Sequence, residues 1–229
     1  MTLKIYDELI QGSTEWLEAR LGLICASEVK LILTPTLKLA DNDKTRAHVY
    51  EIAAQRISEY VEPHYVSDDM LRGHQEEAMA VYTYSERYAP VTHVGFMTRQ
   101  FGDFKIGYSP DGLVGDDGLI EVKSRRQKFQ VQTIVECVTS ETIMPEYMLQ
   151  AQTGLLVSGR KWLDHITYSG GLPMATVRVF PDPTIQDAIL TAATAFEAKV
   201  KAVIDTYHAT VKARDLPPTE RIIEQEMFV

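Results

Sequence analysis

The stretch Ser109-Pro110-Asp111-Gly112-Leu113-Val114-Gly115-Asp116-Asp117-Gly118-Leu119-Ile120-Glu121-Val122-Lys123 reads as two strands joined by a tight turn. Gly115-Asp116-Asp117-Gly118 supplies the residues that tolerate the positive φ of hairpin turns. The turn folds the strand that carries Asp111 back beside the strand that carries Glu121. Residues two apart on a strand share a face, so Glu121 and Lys123 project together, about 6.7 Å apart along the strand. Val122 points the other way, into a core.

The residue types suggest a chemistry. Two carboxylates on adjacent strands make a hard oxygen site suited to Mg²⁺ or Mn²⁺. Such an ion can acidify a water and neutralise charge on a scissile phosphate. Lys123, beside them, can hold or activate the attacking hydroxide. For a bare D…ExK match the ordinary reading is a solvated hairpin. Here Ile120 and Val122, with Phe104 and Ile106 upstream, mark central strands, where charged side chains need a task.

The 229-residue chain suits one sizeable α/β domain, with a central mixed β-sheet flanked by helices. Its hydrophobic share of 45% permits a substantial core, and no apolar run approaches the ~20 residues of a membrane span. No secretory signal is evident at the N-terminus. Cys25 and Cys137 make neither a CxxC pair nor a disulfide framework, so a reducing cytosol is the expected compartment. His48, His64, His74, His93, His165 and His208 show no zinc-binding spacing. There is no phosphate-binding P-loop and no GxSxG or paired Cys-His pattern. A net charge of −9 argues against a generic nucleic-acid coat. Yet Lys123-Ser124-Arg125-Arg126-Gln127-Lys128 places a basic patch directly after the candidate site, with Arg125, Arg126 and Lys128 as candidate DNA contacts.

Periodicity predicts helices over 14–21, 27–33, 44–60, 70–88, 127–138 and 144–158. Tyr50, Ala53, Ile57 and Val61 are the expected apolar face of the third, and Pro63 its stop. Pro145 fits a first helical position, and Asp182-Pro183 starts the last long helix as N-cap and N1. That helix is expected to run to about 207, with Ile185, Ile189, Ala192, Phe196, Val200 and Val203 as a packing or interface stripe. Strands are expected over 91–98, 103–109, 112–115, 118–123, 162–169 and 173–180. The tail is expected to be irregular, with Ile222, Ile223, Met227 and Phe228 able to dock on the body or a neighbouring subunit.

Pro110-Asp111…Glu121-Val122-Lys123 resembles the PD-(D/E)xK nuclease signature. Trp16-Leu17-Glu18-Ala19-Arg20-Leu21-Gly22-Leu23-Ile24-Cys25-Ala26-Ser27-Glu28-Val29 resembles the N-terminal block of the phage lambda exonuclease and YqaJ-like viral recombinase family. Gly73-His74-Gln75-Glu76-Glu77 resembles its G-x-x-x-E helix, and Tyr147-Met148-Leu149-Gln150-Ala151-Gln152 its Q-x-Q helix. The four blocks occur in the family's order between residues 16 and 152; the C-terminal third matches only in outline.

This resemblance implies a single nuclease domain over 1–229, elaborated by the N-terminal helices 14–60 and the C-terminal helix. It implies a Mg²⁺-dependent 5′→3′ exonuclease (Mn²⁺ able to substitute) that acts on double-stranded DNA ends and leaves 3′ single strands for recombination. Asp111, Glu121, Lys123, Glu77 and Gln150 take the catalytic positions. Asp111, Glu121, the Val122 backbone carbonyl and Glu77 are the implied metal ligands. Gln152 faces elsewhere on its helix. Arg20, Ser27 and Ser109 match positions that hold the 5′-phosphate. Taken alone, these three read as a surface salt bridge, a helix N-cap and a turn hydroxyl. The resemblance also implies a homotrimeric ring, a single-strand annealing protein as partner, no membrane, and a phage- or prophage-encoded protein in the cytoplasm of a bacterial host. An acidic surplus would keep the outside of such a ring off DNA. Two rivals stay open: a structure-selective endonuclease on the same core, and a non-catalytic DNA-end adaptor.

Overall fold

A computed structural model describes residues 2–62 and 68–221. Its strands are β1 (Leu3–Tyr6), β2 (Ile24–Cys25), β3 (Phe96–Phe101), β4 (Phe104–Tyr108), β5 (Gly112–Val114), β6 (Gly118–Ser124), β7 (Trp162–Tyr168) and β8 (Ala175–Val179). Its α-helices are α1 (Thr14–Arg20), α2 (Asp43–Ser58), α3 (Asp68–Arg87), α4 (Gln127–Gln132), α5 (Pro145–Ser158) and α6 (Pro183–Arg214). A 3₁₀ helix spans Ala26–Leu31, and α4 runs into a π-helical stretch, Thr133–Val138.

The fold is α/β, as expected, with the pairing divided between two four-stranded sheets, β1-β3-β4-β2 and β5-β6-β7-β8. Both are mixed: β2 runs parallel to β4 and β6 parallel to β7, while the other pairs are antiparallel. The β6-to-β7 crossover carries α4, the π-helix and α5. α5 packs against β3, β4, β7 and the 3₁₀ helix, so it touches both sheets.

Alternation along β6 decides what lies on each side. Leu119 faces the larger core with Ile106, Leu155 and Leu163, while Ile120 and Val122 face a smaller one with Ala80, Val81, Tyr84 and Ile166. The β5–β6 hairpin forms as expected, with Gly115 at φ 52°.

Helix ends follow local chemistry. Asp182 caps α6 by accepting from the Thr184 and Ile185 amides, and Pro183 follows at N1. α6 extends beyond the expected 207 to Arg214. The stripe Ile189, Ala192, Phe196 and Val200 is buried, and Ile185 and Val203 pack against it.

Several expectations are corrected. β1 and β2 have no counterpart in the periodicity, because four and two residues are too short to show an alternation. The strand expected over 91–98 begins at Phe96, with only a single bridge from Thr92 to Leu113 before it. On α2 the buried face is Val49, Ile52 and Ala53, and Tyr50 is exposed. The helix ends at Ser58, with Glu59 in the left-handed conformation (φ 51°), so Val61 is outside it. Pro63, His64 and the tail residues Ile222, Ile223, Met227 and Phe228 lie outside the described residues. No helix among the described residues is long and apolar enough to cross a membrane.

Candidate active site

Asp111 sits at the entry to β5, where the hairpin register continues so as to set it opposite Glu121, one residue before Val122. Its Oδ2 accepts the Val122 N–H at 2.5 Å. Glu121 is only 3% exposed. Its Oε1 accepts from Lys123 Nζ at 2.8 Å and from Gln150 Nε2, and its Oε2 accepts from the Tyr108 hydroxyl at 2.9 Å. Glu77 arrives on α3, which is pinned on both sides of it. Glu76 accepts from Ser124 Oγ at 2.5 Å and from the Gly170 N–H at 3.3 Å, and Tyr84 donates to Asp164 at 2.6 Å.

One cleft of about 240 Å³ is lined by Arg20, Ser27, Glu77, Ser109, Asp111, Glu121, Val122, Lys123 and Gln150. Every residue expected to cut or to hold the terminal phosphate is therefore in one place. A larger groove, about 720 Å³ between the β3–β4 turn and α6, holds none of them.

The phosphate side is built on α1 and the 3₁₀ helix. The Arg20 guanidinium stacks over the Trp16 ring at 4.2 Å and stands 3.7 Å from Glu28. The Trp16 indole N–H donates to Ser109 Oγ at 2.9 Å. Gln11 donates to the Pro110 carbonyl at 3.2 Å, fixing the turn before Asp111. Ser27 is exposed and lies inside the 3₁₀ helix; the N-cap is Cys25, whose N–H donates to Glu28 at 2.8 Å. Capping therefore does not account for Ser27. Cys25 also lines the cleft, but burial pushes its thiol up to about 12, away from the reactive thiolate form.

The electrostatics are unbalanced. Burial, then the charges of Glu121 and Glu77, hold the Asp111 carboxyl well above its ordinary range. Burial also raises Glu77, with Glu121 adding to it. Burial pulls Lys123 down, but Glu121 and Asp111 outweigh it and leave the ammonium raised. Tyr108 is raised by burial and by Glu121 and Asp111, so its phenol keeps its proton and donates. Three carboxyl groups thus share one ammonium in a buried place, an arrangement that favours a cation.

The donor set fits a hard divalent ion. No three His, Cys, Asp or Glu side chains among the described residues form a closed cage. Mg²⁺ does not need one, since it is held by one or two carboxylates and keeps several waters. Asp111 and Glu121 are two carboxylates suited to that task.

Arg125 departs from expectation. It is 8% exposed and turned inward. Its guanidinium pairs with Glu146 at 3.0 Å and with the Tyr147 hydroxyl at 2.5 Å, and lies over the Phe129 and Tyr147 rings. It braces the end of β6 against α5, and the outward basic patch reduces to the exposed Arg126 and Lys128. Gln152 is not a surface amide: it is buried, donates to the Phe180 carbonyl at 2.8 Å and accepts the Asp182 N–H at 2.8 Å. It ties α5 to the start of α6.

Sequence reasoning missed Tyr108, Trp16 and Gln11 as site residues. Trp16 lay within a quoted block, and Tyr108 immediately precedes Ser109, but neither position announces a hydrogen bond made across the fold.

A family model of the YqaJ-like viral recombinase domain matches residues 15–161. No curated protein is significantly similar in sequence. Among solved structures, the alkaline exonuclease LHK-Exo from Laribacter hongkongensis is 30% identical with a TM-score of 0.76, covering 88% of this chain and 100% of that one. The LHK-Exo complex with dAMP gives the same values. A phage-related exonuclease from Haemophilus somnus 129PT, 13% identical, covers 81% of this chain and 96% of its own with a TM-score of 0.58, a likeness of fold alone. With the family model spanning most of the chain and all four sequence blocks meeting at one cleft, this protein belongs to the YqaJ-like viral recombinase family of PD-(D/E)xK proteins.

Proposed function

We propose that this protein is a Mg²⁺-dependent exonuclease that degrades one strand of a DNA duplex from its 5′ end and leaves 3′ single-stranded DNA for recombination by strand annealing. The observation that carries the reading is the single cleft that joins Asp111, Glu121 and Lys123 to Arg20, Ser27 and Ser109. The family and the alkaline exonuclease neighbour support an exonuclease of the phage recombination type.

Asp111 and Glu121 would hold the ion, with the Val122 carbonyl and Glu77 as further oxygen donors. When bound, Mg²⁺ would supply Lewis-acid polarisation of the scissile phosphate and an acidified water. The protein's own groups do the rest. Lys123, kept protonated by the carboxylates, places positive charge next to the attacking oxygen. Gln150, fixed on Glu121, orients that oxygen. Arg20 offers the planar, forked donor set that suits a terminal phosphate. Its stacking on Trp16 restricts the guanidinium plane. The exposed Arg126 and Lys128 would meet the DNA backbone.

Three further features rest on family resemblance: a homotrimeric ring around the duplex, a single-strand annealing partner, and a phage or prophage origin with action in the host cytoplasm. A sedimentation mass near three times 25.8 kDa is expected for the ring. A monomer with full activity would exclude it.

The deciding experiment digests 5′-phosphorylated linear duplex and a covalently closed circle, with and without Mg²⁺, and reads polarity from end labels. The expected result is loss of the 5′-labelled strand from linear DNA only, and only with Mg²⁺. Nicking of the circle would favour the endonuclease reading, and intact linear DNA the adaptor.

A further inference from the structure

Resting on the proposed metal-site reading, we infer that Tyr108 is a positioning residue: its hydroxyl fixes the rotation of the Glu121 carboxylate and so sets the affinity of the site for a divalent cation. Tyr108 is the last residue of β4, 1% exposed, and its ring packs in the larger core. A Phe would bury the same ring. The hydroxyl is the part that packing does not require, and it donates to Glu121 Oε2 at 2.9 Å.

The geometry gives that bond a consequence. An ionised carboxylate offers about four lone-pair directions. On Glu121, Oε1 already accepts from Lys123 and Gln150. Among the described residues, Oε2 accepts only from Tyr108. Three directions are thus taken, and the one left belongs to Oε2, the oxygen that Tyr108 fixes. Without the hydroxyl, the two donors on Oε1 leave the carboxylate free to rock about them, and Oε2 loses its fixed direction. Partners of this kind, one step behind the ligands, typically govern metal affinity by about 10–100-fold.

A second contact ties the ring to the same helix that supplies Gln150. Gly154 lies one turn beyond Gln150 on α5, and a Cβ there would come within 2.7 Å of Tyr108 Cζ. Only glycine lets α5 approach this closely. Tyr108 therefore meets Glu121 through its hydroxyl and α5 through its ring, so both oxygens of Glu121 are set by one packed unit.

The test uses the full-length chain and Mn²⁺ alone as probe, with calorimetry or electron paramagnetic resonance reporting the Kd, beside thermal melts. Tyr108→Phe should raise the Mn²⁺ Kd about tenfold or more. The Kd is read without DNA, and any loss of digestion in Tyr108→Phe should be relieved by raising Mn²⁺, since the defect is one of metal affinity. An unchanged Kd in folded Tyr108→Phe overturns the inference. Should Tyr108→Phe not fold, Gly154→Ala takes its place: it keeps the hydroxyl but crowds the ring, and it should also weaken Mn²⁺ binding. Wild-type affinity in folded Gly154→Ala would then count against the inference. Glu121→Gln separates the two readings. If Glu121→Gln loses Mn²⁺ and Tyr108→Phe does not, the role of Tyr108 fails while the metal site stands. If Glu121→Gln binds as wild type, the metal-site reading itself fails.

Discussion

Glu121 on β6 and Asp164 on the neighbouring β7 are equally buried, each 3% exposed, and they face opposite sides of the same sheet. Asp164 is matched: Arg178 forks onto it with two bonds of 2.8 Å, the Tyr84 hydroxyl adds a third, and the guanidinium is stacked 3.7 Å from the Trp162 ring. Glu121 also has three donors, but it shares its surroundings with Asp111 and Glu77, and among the described residues the one ammonium bonded to it is Lys123. The balanced carboxylate pins α3 to the sheet. The unbalanced group crowds three carboxyls around one ammonium inside the cleft. Hydrogen-bond count does not separate a structural buried acid from a functional one; the local sum of charge does.

Breaking the unbalanced site should have the largest effect. Asp111→Ala or Glu121→Ala should lower Mg²⁺-dependent digestion by on the order of 10³-fold or more while the fold persists. Asp111→Asn sharpens the point. Since the raised Asp111 carboxyl resists ionisation in the fold, its contribution favours folding at low pH and is lost as pH rises through the folded value. At neutral pH without metal, Asp111→Asn should therefore raise the Tm by at least about 2 °C, and Mg²⁺ should then add nothing. A lower Tm in Asp111→Asn would remove the charge-surplus argument.

Lys123→Ala should slow digestion nearly as much while calorimetry shows metal binding largely kept, because an ammonium is not a ligand. Retained turnover with lost metal affinity would reverse that assignment. On the balanced side the expected outcome inverts. Arg178→Ala leaves Asp164 buried without its cation and should cost about 3 kcal/mol of stability, a drop in Tm of about 6–12 °C. This is the low end for such a pair, because the Arg178 side chain is itself 46% exposed. Its Mn²⁺ affinity at low temperature should match wild type.

A smaller effect is expected at the far end of the cleft. Arg20→Ala should erase about 10- to 100-fold of preference for 5′-phosphorylated over 5′-hydroxyl ends, the worth of a charge-assisted hydrogen bond. Digestion of both end types by both proteins measures it, and an unchanged preference would leave Arg20 as the partner of Glu28 alone. The smallest effect concerns His165, which lies in register with Glu121. Burial, then Lys123 and Arg125, lower it from 6.5 to about 3. The unfolded chain takes up a proton that the fold refuses. The stability this neutral ring contributes is thus intact above pH 6.5 and is lost as pH falls toward 3. Between pH 7 and 5 the loss should be about 1–2 kcal/mol, and His165→Gln should flatten the urea-denaturation profile by that amount.

What the sequence made legible was local. The hairpin, the caps of α5 and α6 and the four motif blocks each depend on residues close along the chain, so spacing and turn chemistry reveal them. What it hid was tertiary. Arg125 reads as part of a basic run until Glu146 and Tyr147 are seen to enclose it. Asp164 reads as one more charge until Arg178 forks onto it from the next strand. The face of α2 was misjudged because Tyr50 counts as apolar in a periodicity, yet it is 52% exposed, while His48 is buried against Phe196 of α6. A polar residue buried by a distant helix leaves no trace in a hydrophobic pattern.

The two ends of the cleft also differ in how much chain separates their parts. The Asp111–Val122 bond closes 11 residues, whereas the Trp16–Ser109 bond closes 93. By the logarithmic growth of loop-closure entropy, the second contact costs about 2 kcal/mol more to bring together. The Asp111–Val122 contact is therefore the cheaper of the two to close, and the Trp16–Ser109 contact requires α1 to be docked. A substitution that slows the docking of α1 is expected to disturb the Trp16–Ser109 end of the cleft while leaving the Asp111–Val122 contact in place.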